Sequence, residues 1–429
     1  MTNAGQVAAS SMVSPKEDAR RIAAEIRRSQ FGERARAFAL AAPLLILLVV
    51  SFAVPIFLLL SKAIYDPTIS QDLPTASVQL KQWPGQGLPP DETYAALADD
   101  LIRIQADGRI YELAKSLNSR IPGARSQILK TMRRLGELTG GDPAIGADAA
   151  KRVAALKGIE FWSAPESWSA LRAGASGFTS FNLLNALDLR WTAEGHLAWV
   201  PADQAIFLRV YGRTFLLAGL VTLATLALGF PLAYLIAQLP PRYAAPLLIL
   251  VLLPFWTSIL VRTAAWTVLL QKFGLINELL ISLGVIHEGL DLMYSRLGLI
   301  IAMTHIQLPF TLLPIYSVMR TMQPSQMRAA LSLGARPTTA FRRIYLPQVL
   351  PGIVAGCLLT FILCLGYYIT PALIGGASDQ LISNFIANYV NVELNWEMAA
   401  ALSLILLAMT IGLYAVFARL SGFDRLKLG

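Results

Sequence analysis

Residues 38–60 read Phe38-Ala-Leu-Ala-Ala-Pro-Leu-Leu-Ile-Leu-Leu-Val-Val-Ser-Phe-Ala-Val-Pro-Ile-Phe-Leu-Leu-Leu60, without a single charge. An α-helix rises about 1.5 Å per residue, so about 20 apolar residues cross a hydrocarbon core of about 30 Å. This run is long enough to span. The pattern recurs at 214–237, 244–270, 297–319, 352–373 and 399–420. Pro231, Pro254, Pro309 and Pro314 interrupt these stretches. Membrane helices tolerate such breaks where neighbouring helices or a cavity satisfy the freed backbone groups. The predicted fold class is an all-α membrane protein with six transmembrane helices.

Composition agrees. The 429 residues are 55% hydrophobic and 15% charged, against about 25% charged in a soluble domain. The net charge of +9 would suggest nucleic acid in a soluble protein, but basic residues crowd the cytoplasmic loops of membrane proteins. No basic run is interleaved with aromatics, so no nucleic-acid partner is expected. Cys357 and Cys364 share one apolar run, where they read as small buried hydrophobes. His196, His287 and His305 are scattered, so neither a metal site nor a catalytic triad is predicted.

Charge sets the expected orientation. With six spans, the N-terminus, the 238–243 loop, the 320–350 loop and the C-terminus share one side. The 320–350 loop carries Arg320, Arg328, Arg336, Arg342 and Arg343 without an acid. The opposite short loops hold Glu278, Glu288, Asp291, Asp379, Glu393 and Glu397 against Lys272 and Arg296. The positive-inside rule puts the first set in the cytoplasm.

Spans and charges together set the expected organisation. Residues 1–37 form a basic cytoplasmic tail, in which 19–26 has the spacing of a short amphipathic helix at the lipid surface. The first transmembrane helix occupies 38–62, and 63–205 is a periplasmic insert. A five-helix core fills 206–420, with its cytoplasmic loop at 320–350, and 421–429 is a cytoplasmic tail. In the insert, Tyr94, Leu97, Leu101 and Ile104, and again Ile128, Leu129, Met132 and Leu135, repeat at helical spacing. The insert is thus mostly helical, either a small domain or helices lying on the membrane. Trp162, Trp168, Trp191 and Trp199 suit a small core or an interfacial belt.

The 323–352 loop carries the functional reading. Pro324 and Ser325 start a helix, with Pro in the first turn and Ser as its cap. Met327, Ala330, Leu331 and Gly334 give it one face, and Gly334 can end it at positive φ. A second short helix through 341–344 feeds Leu346-Pro347 and the next span. The small residues Ala329, Ala330 and Gly334 let another surface approach closely.

This loop resembles the cytoplasmic signature of binding-protein-dependent ABC importer permeases: E-A-A, three residues, G, nine residues, I, one residue, L-P. Ala329, Ala330, Gly334, Ile344, Leu346 and Pro347 fall at those spacings. The segments Arg262-Thr-Ala-Ala-Trp266, Gly274-Leu-Ile-Asn277, Leu308-Pro-Phe310, Leu313-Pro-Ile-Tyr316 and Gly366-Tyr-Tyr-Ile-Thr-Pro371 are similar to the first permease subunit of the spermidine/putrescine subgroup. The resemblance implies a type I importer permease, with Met327, Arg328, Ala329, Ala330, Leu331, Gly334 and Ala335 coupling to an ATPase. Arg328 stands where the family has Glu. It gives up the favourable first-turn dipole interaction and removes any ion pair the Glu would make with the ATPase. By position the insert is similar to the periplasmic domain of a maltose-type permease subunit, without a sequence match.

The resemblance also implies the machinery. The chain has no phosphate-cradling Gly-x-x-x-x-Gly-Lys-Ser/Thr loop, so it is expected to be no enzyme and to bind no cofactor. ATP and Mg would sit on a partner ATPase homodimer. A second permease subunit, a periplasmic solute-binding protein and membrane lipid complete the expected partners, in a bacterial inner membrane. The substrate implied is a polyamine or related small amine. The subgroup also includes permeases for amino-acid derivatives, phosphonates and ferric iron. Trp256, Arg262, Trp266, Tyr367 and Tyr368 are candidates for the translocation path. Arg262 equally suits an interfacial anchor, and the aromatics suit packing. A secondary transporter would usually show internal repeats with ionisable groups at mid-membrane, and six spans are few for one. A membrane sensor using the 63–205 domain would leave the 323–352 motif unexplained.

Overall fold

A computed structural model describes residues 38–139, 148–192 and 196–420. The segment 19–26 and the tail 421–429 lie outside the described residues. The chain divides into two units, Met1–Leu59 and Leu60–Gly429. The described part of the first unit belongs to the apolar helix Phe38–Ser61. A π-turn at Val49–Ala53 precedes Pro55. Pro55 has no N–H, and its ring would strike the Ser51 carbonyl, so the preceding turn widens.

The second unit opens with the insert, whose longer helices are Pro74–Gln82, Asp91–Ala106, Ile110–Arg120, Ala124–Thr139, Ala149–Lys157 and Pro165–Gly174. Tyr94, Leu97, Leu101 and Ile104 are all buried in a shared core. Ile128, Met132 and Leu135 join them, but Leu129 does not. One step along a helix turns a side chain by about 100°, which takes Leu129 off that face. Trp162 and Trp168 are fully buried. The Tyr94 hydroxyl and Trp168 Nε1 both donate to the Trp162 carbonyl at 2.8 Å, and Trp162 Nε1 donates to Thr131 Oγ1 at 2.9 Å. Burying these polar atoms therefore leaves their donors satisfied. The insert is a packed helical domain rather than loose surface helices.

Trp191 and Trp199 behave differently. They lie on a two-stranded hairpin, Leu189–Trp191 paired antiparallel with Leu197–Trp199, and are 56% and 67% exposed. The hairpin springs from Asp188, a buried residue with φ of 56°. Its carboxylate accepts the backbone N–H groups of Ile206, Phe207 and Leu208 at 3.1, 3.1 and 2.7 Å. Helix N-termini leave such donors unpaired and favour negative charge. Asp188 therefore ties the hairpin to the start of the second span.

Among the described residues, five helices are long and apolar enough to cross a membrane, or six when one bent pair is taken as one span. The second span runs Phe207–Gln238, starting before the apolar stretch because the Asp188 cap extends it. The third expected span is the bent pair: Pro241–Trp256 and Ile259–Leu269 meet at 101°. Pro254 lacks an N–H, and Ser258 Oγ caps the new helix by accepting from Val261 N at 3.2 Å. The fourth span is Arg296–Thr321. The fifth helix, Pro337–Gly366, begins well before residue 352 and stops short of 373. A short helix, Ile369–Ile374, succeeds the break at Tyr367. The sixth is Trp396–Leu420.

The second, fourth and fifth spans share a buried hydroxyl ladder. Thr311 Oγ1 donates to Thr225 Oγ1 at 2.9 Å and lies 2.6 Å from Thr360 Oγ1. Gly352 and Gly356 of the fifth span sit against the Pro314 and Thr311 carbonyls of the fourth. A Cβ on either would approach those oxygens to 2.9 and 2.5 Å. Small residues four apart let membrane helices close in this way.

Candidate functional site

The 323–352 loop folds back on the ends of the second and fourth spans. Pro324–Ser332 is helical, preceded by Gln323, so Ser325 lies inside the first turn and is not the cap. Gly334 N donates to the Leu331 carbonyl at 3.0 Å and Ala335 N to the Ala330 carbonyl at 3.1 Å. With Gly334 at φ of 84°, this is a Schellman termination, which closes the helix and satisfies its last carbonyls.

The expected short helix through 341–344 is present, but as a widened turn continuous with its neighbours. A turn, Pro337–Ala340, leads into a π-turn, Phe341–Tyr345, which runs straight into Leu346-Pro347. The ring planes of Phe341 and Tyr345 stack at 5.3 Å. Tyr234 of the second span packs edge-on against both, at 6.0 and 5.4 Å. The aromatic clamp holds the loop in one place.

The helix shows two faces. Ala330 is buried and Met327 half-buried, turned toward the span ends with Ile344 and Leu346 also half-buried. Arg328, Ala329, Leu331, Gly334 and Pro347 are exposed, and Ala335 is half-buried. Leu333, next to the glycine, is 89% exposed. A cavity of about 490 Å³ opens beside Met327 and Arg328, between Tyr234, Met319 and Tyr345. Among the described residues, none of the loop's arginines makes an ion pair.

The second set of candidates is only partly brought together. Arg262 and Trp266 share one turn of Ile259–Leu269. Trp266 Nε1 donates to His305 Nδ1 at 3.2 Å, and Arg262 lies within electrostatic reach of His305 and Tyr367. Arg262 Nε and Thr304 Oγ1 are buried without a hydrogen-bond partner among the described residues. Thr263 and Thr370 hydroxyls meet at 3.1 Å, joining the bent third span to the break after the fifth. Ser383 Oγ and Asn384 Nδ2 donate to the Tyr367 and Tyr368 carbonyls at 2.8 Å each, satisfying that break. Tyr368 is 42% exposed, and Trp256 stands apart at the kink, 75% exposed. Sequence reading missed Thr304 and His305. The available signal was a pair of polar residues inside an otherwise apolar run.

The comparisons with known proteins fall on this same half of the chain. Residues 225–422 match the binding-protein-dependent transport system inner membrane component. The spermidine/putrescine transport system permease protein PotB of Haemophilus influenzae is 32% identical over 212 residues, 49% of this chain and 74% of the relative. PotB of Escherichia coli K12 is 36% identical over 209 residues, 48% and 75% of the two chains. The inner membrane ABC transporter permease protein YdcU of the same organism is 36% identical over 239 residues, 53% and 74%. A crystal structure of a bacterial alginate ABC transporter, with its pentasaccharide-bound periplasmic protein, overlaps 52% of this chain and 80% of its own with a TM-score of 0.44 at 19% identity.

Broken spans, a clamped loop and the PotB and YdcU relatives together describe the membrane-spanning half of an ABC importer. The chain belongs to the family of binding-protein-dependent transport system inner membrane components. It is a multi-pass permease subunit, and the matched segment excludes the insert.

Proposed function

We propose that this permease imports polyamines or related small amines, driven by ATP hydrolysis on a separate ATPase homodimer carrying Mg. Its relatives of 32% and 36% identity bear the name of spermidine/putrescine transport. The observation that carries the coupling half is the Pro324–Ser332 helix, which presents exposed Ala329, Leu331 and Leu333 around a positive-φ glycine. A partner can close on small residues, and Leu333 is an apolar anchor for its cleft. Closure of the ATPase dimer pushes this helix, and the aromatic clamp passes the movement to the second and fifth spans. A second permease subunit completes the path. A periplasmic binding protein delivers the solute at the mouth opposite the loop, with both termini of this chain in the cytoplasm.

The decisive experiment is co-purification followed by uptake of labelled spermidine in reconstituted vesicles. An ATPase and a second permease should copurify, and uptake should need ATP and the binding protein. Purified complexes containing neither partner would sink the coupling assignment. Uptake of other solutes but not amines would sink the substrate alone.

A second reading is a solute bearing an acidic group. Arg262 lies part-buried in the third span with its Nε unpaired. None of the path candidates is an acid. A buried guanidinium favours carboxylate or phosphate. Identifying the ligand in the companion binding protein separates the two readings.

A further inference from the structure

A cavity of about 650 Å³ lies in the insert, away from the loop and the broken spans. That is the size of a small-molecule site. Three arginines reach it: Arg120, Arg172 and Arg190. Glu166 is the one acid in its lining.

Each arginine is held differently. The Arg120 side chain is 2% exposed, its Nη2 lies 2.8 Å from Asp66 Oδ2, and its guanidinium stands 5.3 Å over the Phe181 ring. Its Nη1 is buried without a partner among the described residues. Arg172 Nη1 donates to the Pro84 carbonyl at 3.0 Å. It does so past Gly85, whose φ of 86° and missing Cβ leave room that any side chain would fill. Arg190 sits exposed on the hairpin and makes no ion pair among the described residues. Asp66 offsets Arg120, so Arg172 and Arg190 against Glu166 leave the cavity with one net positive charge.

The apolar side of the cavity is equally distinct. Phe178 is 66% exposed and Trp191 is 56% exposed, although both line it. Soluble domains rarely gather large exposed aromatics at one rim, whereas Trp and Tyr concentrate where membrane meets water.

One tie fixes the cavity at that level. Asp188, at the root of the hairpin carrying Arg190 and Trp191, caps the first turn of the second span. The cavity therefore opens where the second span leaves the bilayer.

We propose that it holds the phosphodiester headgroup of an anionic membrane phospholipid, with the acyl chains leaving over Phe178 and Trp191. Planar guanidinium forks match phosphate oxygens in geometry and charge. One net positive charge matches the single negative charge of phosphatidylglycerol. A zwitterionic headgroup leaves that charge uncompensated.

The test uses the full chain, purified and incorporated into nanodiscs of phosphatidylglycerol or phosphatidylethanolamine, with bound lipid counted by native mass spectrometry. Phosphatidylglycerol should be retained, and the Arg172→Gln/Arg190→Gln double variant should retain it at least about tenfold less, the loss of about one charge-assisted contact. Both side chains are exposed, so the variant should melt like the parent. Arg190→Gln alone gives the same reading if the double variant fails to fold. Phosphatidylglycerol with brominated acyl chains should quench a fluorescence component that Trp191→Phe removes. Equal retention of phosphatidylethanolamine, or retention untouched by the arginine variants, overturns the proposal. So does displacement by millimolar inorganic phosphate, which identifies a free-anion site.

Discussion

Asp188 occupies a backbone conformation that costs most residues strain, and it is buried. Asn and Asp are the side chains that tolerate it best. What the position gains is three backbone N–H groups at the head of the second span. Asp188→Ala should destabilise the protein by about 1–3 kcal/mol, the cost of unpaired buried donors and a lost cap. Asp188→Asn should recover part of that, because it keeps the conformation and one acceptor oxygen. Thermal melting in detergent measures both. A melt of Asp188→Ala indistinguishable from the parent removes the hairpin's anchor. None of this was visible in the sequence, where Asp188 and its partners 18 to 20 residues on look unrelated. Gly334 was legible, because a glycine after an apolar helical repeat has one common use. The role given to Ser325 was not correct: Pro324 takes the first helical position and leaves Ser325 within the turn.

At the scale of elements, the apolar runs predicted the spans and misplaced the ends of the second and fifth. The reason is that ends are set by caps and prolines, while hydropathy reports only the lipid-facing middle. The fifth helix shows this most clearly, since Pro337–Gly366 joins part of the loop to the span. The kink of 101° in the third span was hinted at by Pro254, but proline alone does not give an angle. Close packing of the fourth and fifth spans was legible only as two glycines four apart. Gly356→Leu should cost about 1–3 kcal/mol or more by overpacking against the Thr311 carbonyl. Gly412→Leu in the sixth span has open space around it and should be near neutral. Melting temperature and monodispersity compare the pair. Equal behaviour of the two would mean that the second, fourth and fifth spans do not depend on that approach.

For the whole molecule, the family signature was legible because it sits in one contiguous loop, where spacing survives without knowledge of the fold. The polar group around Arg262 was only half legible, because His305 and Thr304 come from a different span. Coupling supplies the prediction at this scale. Leu333→Asp leaves the aromatic clamp and the Schellman termination untouched, so the subunit should reach the membrane at normal yield. Recovery of the ATPase in pull-downs should fall at least about tenfold, the loss typical of an apolar anchor. Gly334→Trp should abolish transport while membrane insertion is retained. Undiminished uptake by that variant would remove the helix from the coupling path.

The π-turn at Phe341–Tyr345 has a consequence of phase. A π-turn holds one residue more than an α-helical turn, so it behaves as a one-residue insertion frozen into the helix. Rewinding these five residues as plain α-helix with none removed would add the turn of one extra residue. Everything on its N-terminal side would then rotate by about 100° relative to the fifth span. The Pro324–Ser332 helix would point elsewhere although each of its own residues was unchanged. Loop length here is thus an angular setting, and a single residue added between 337 and 346 should be far more damaging than deletion of Arg342, which reversion to an α-turn absorbs without rotating the flanks.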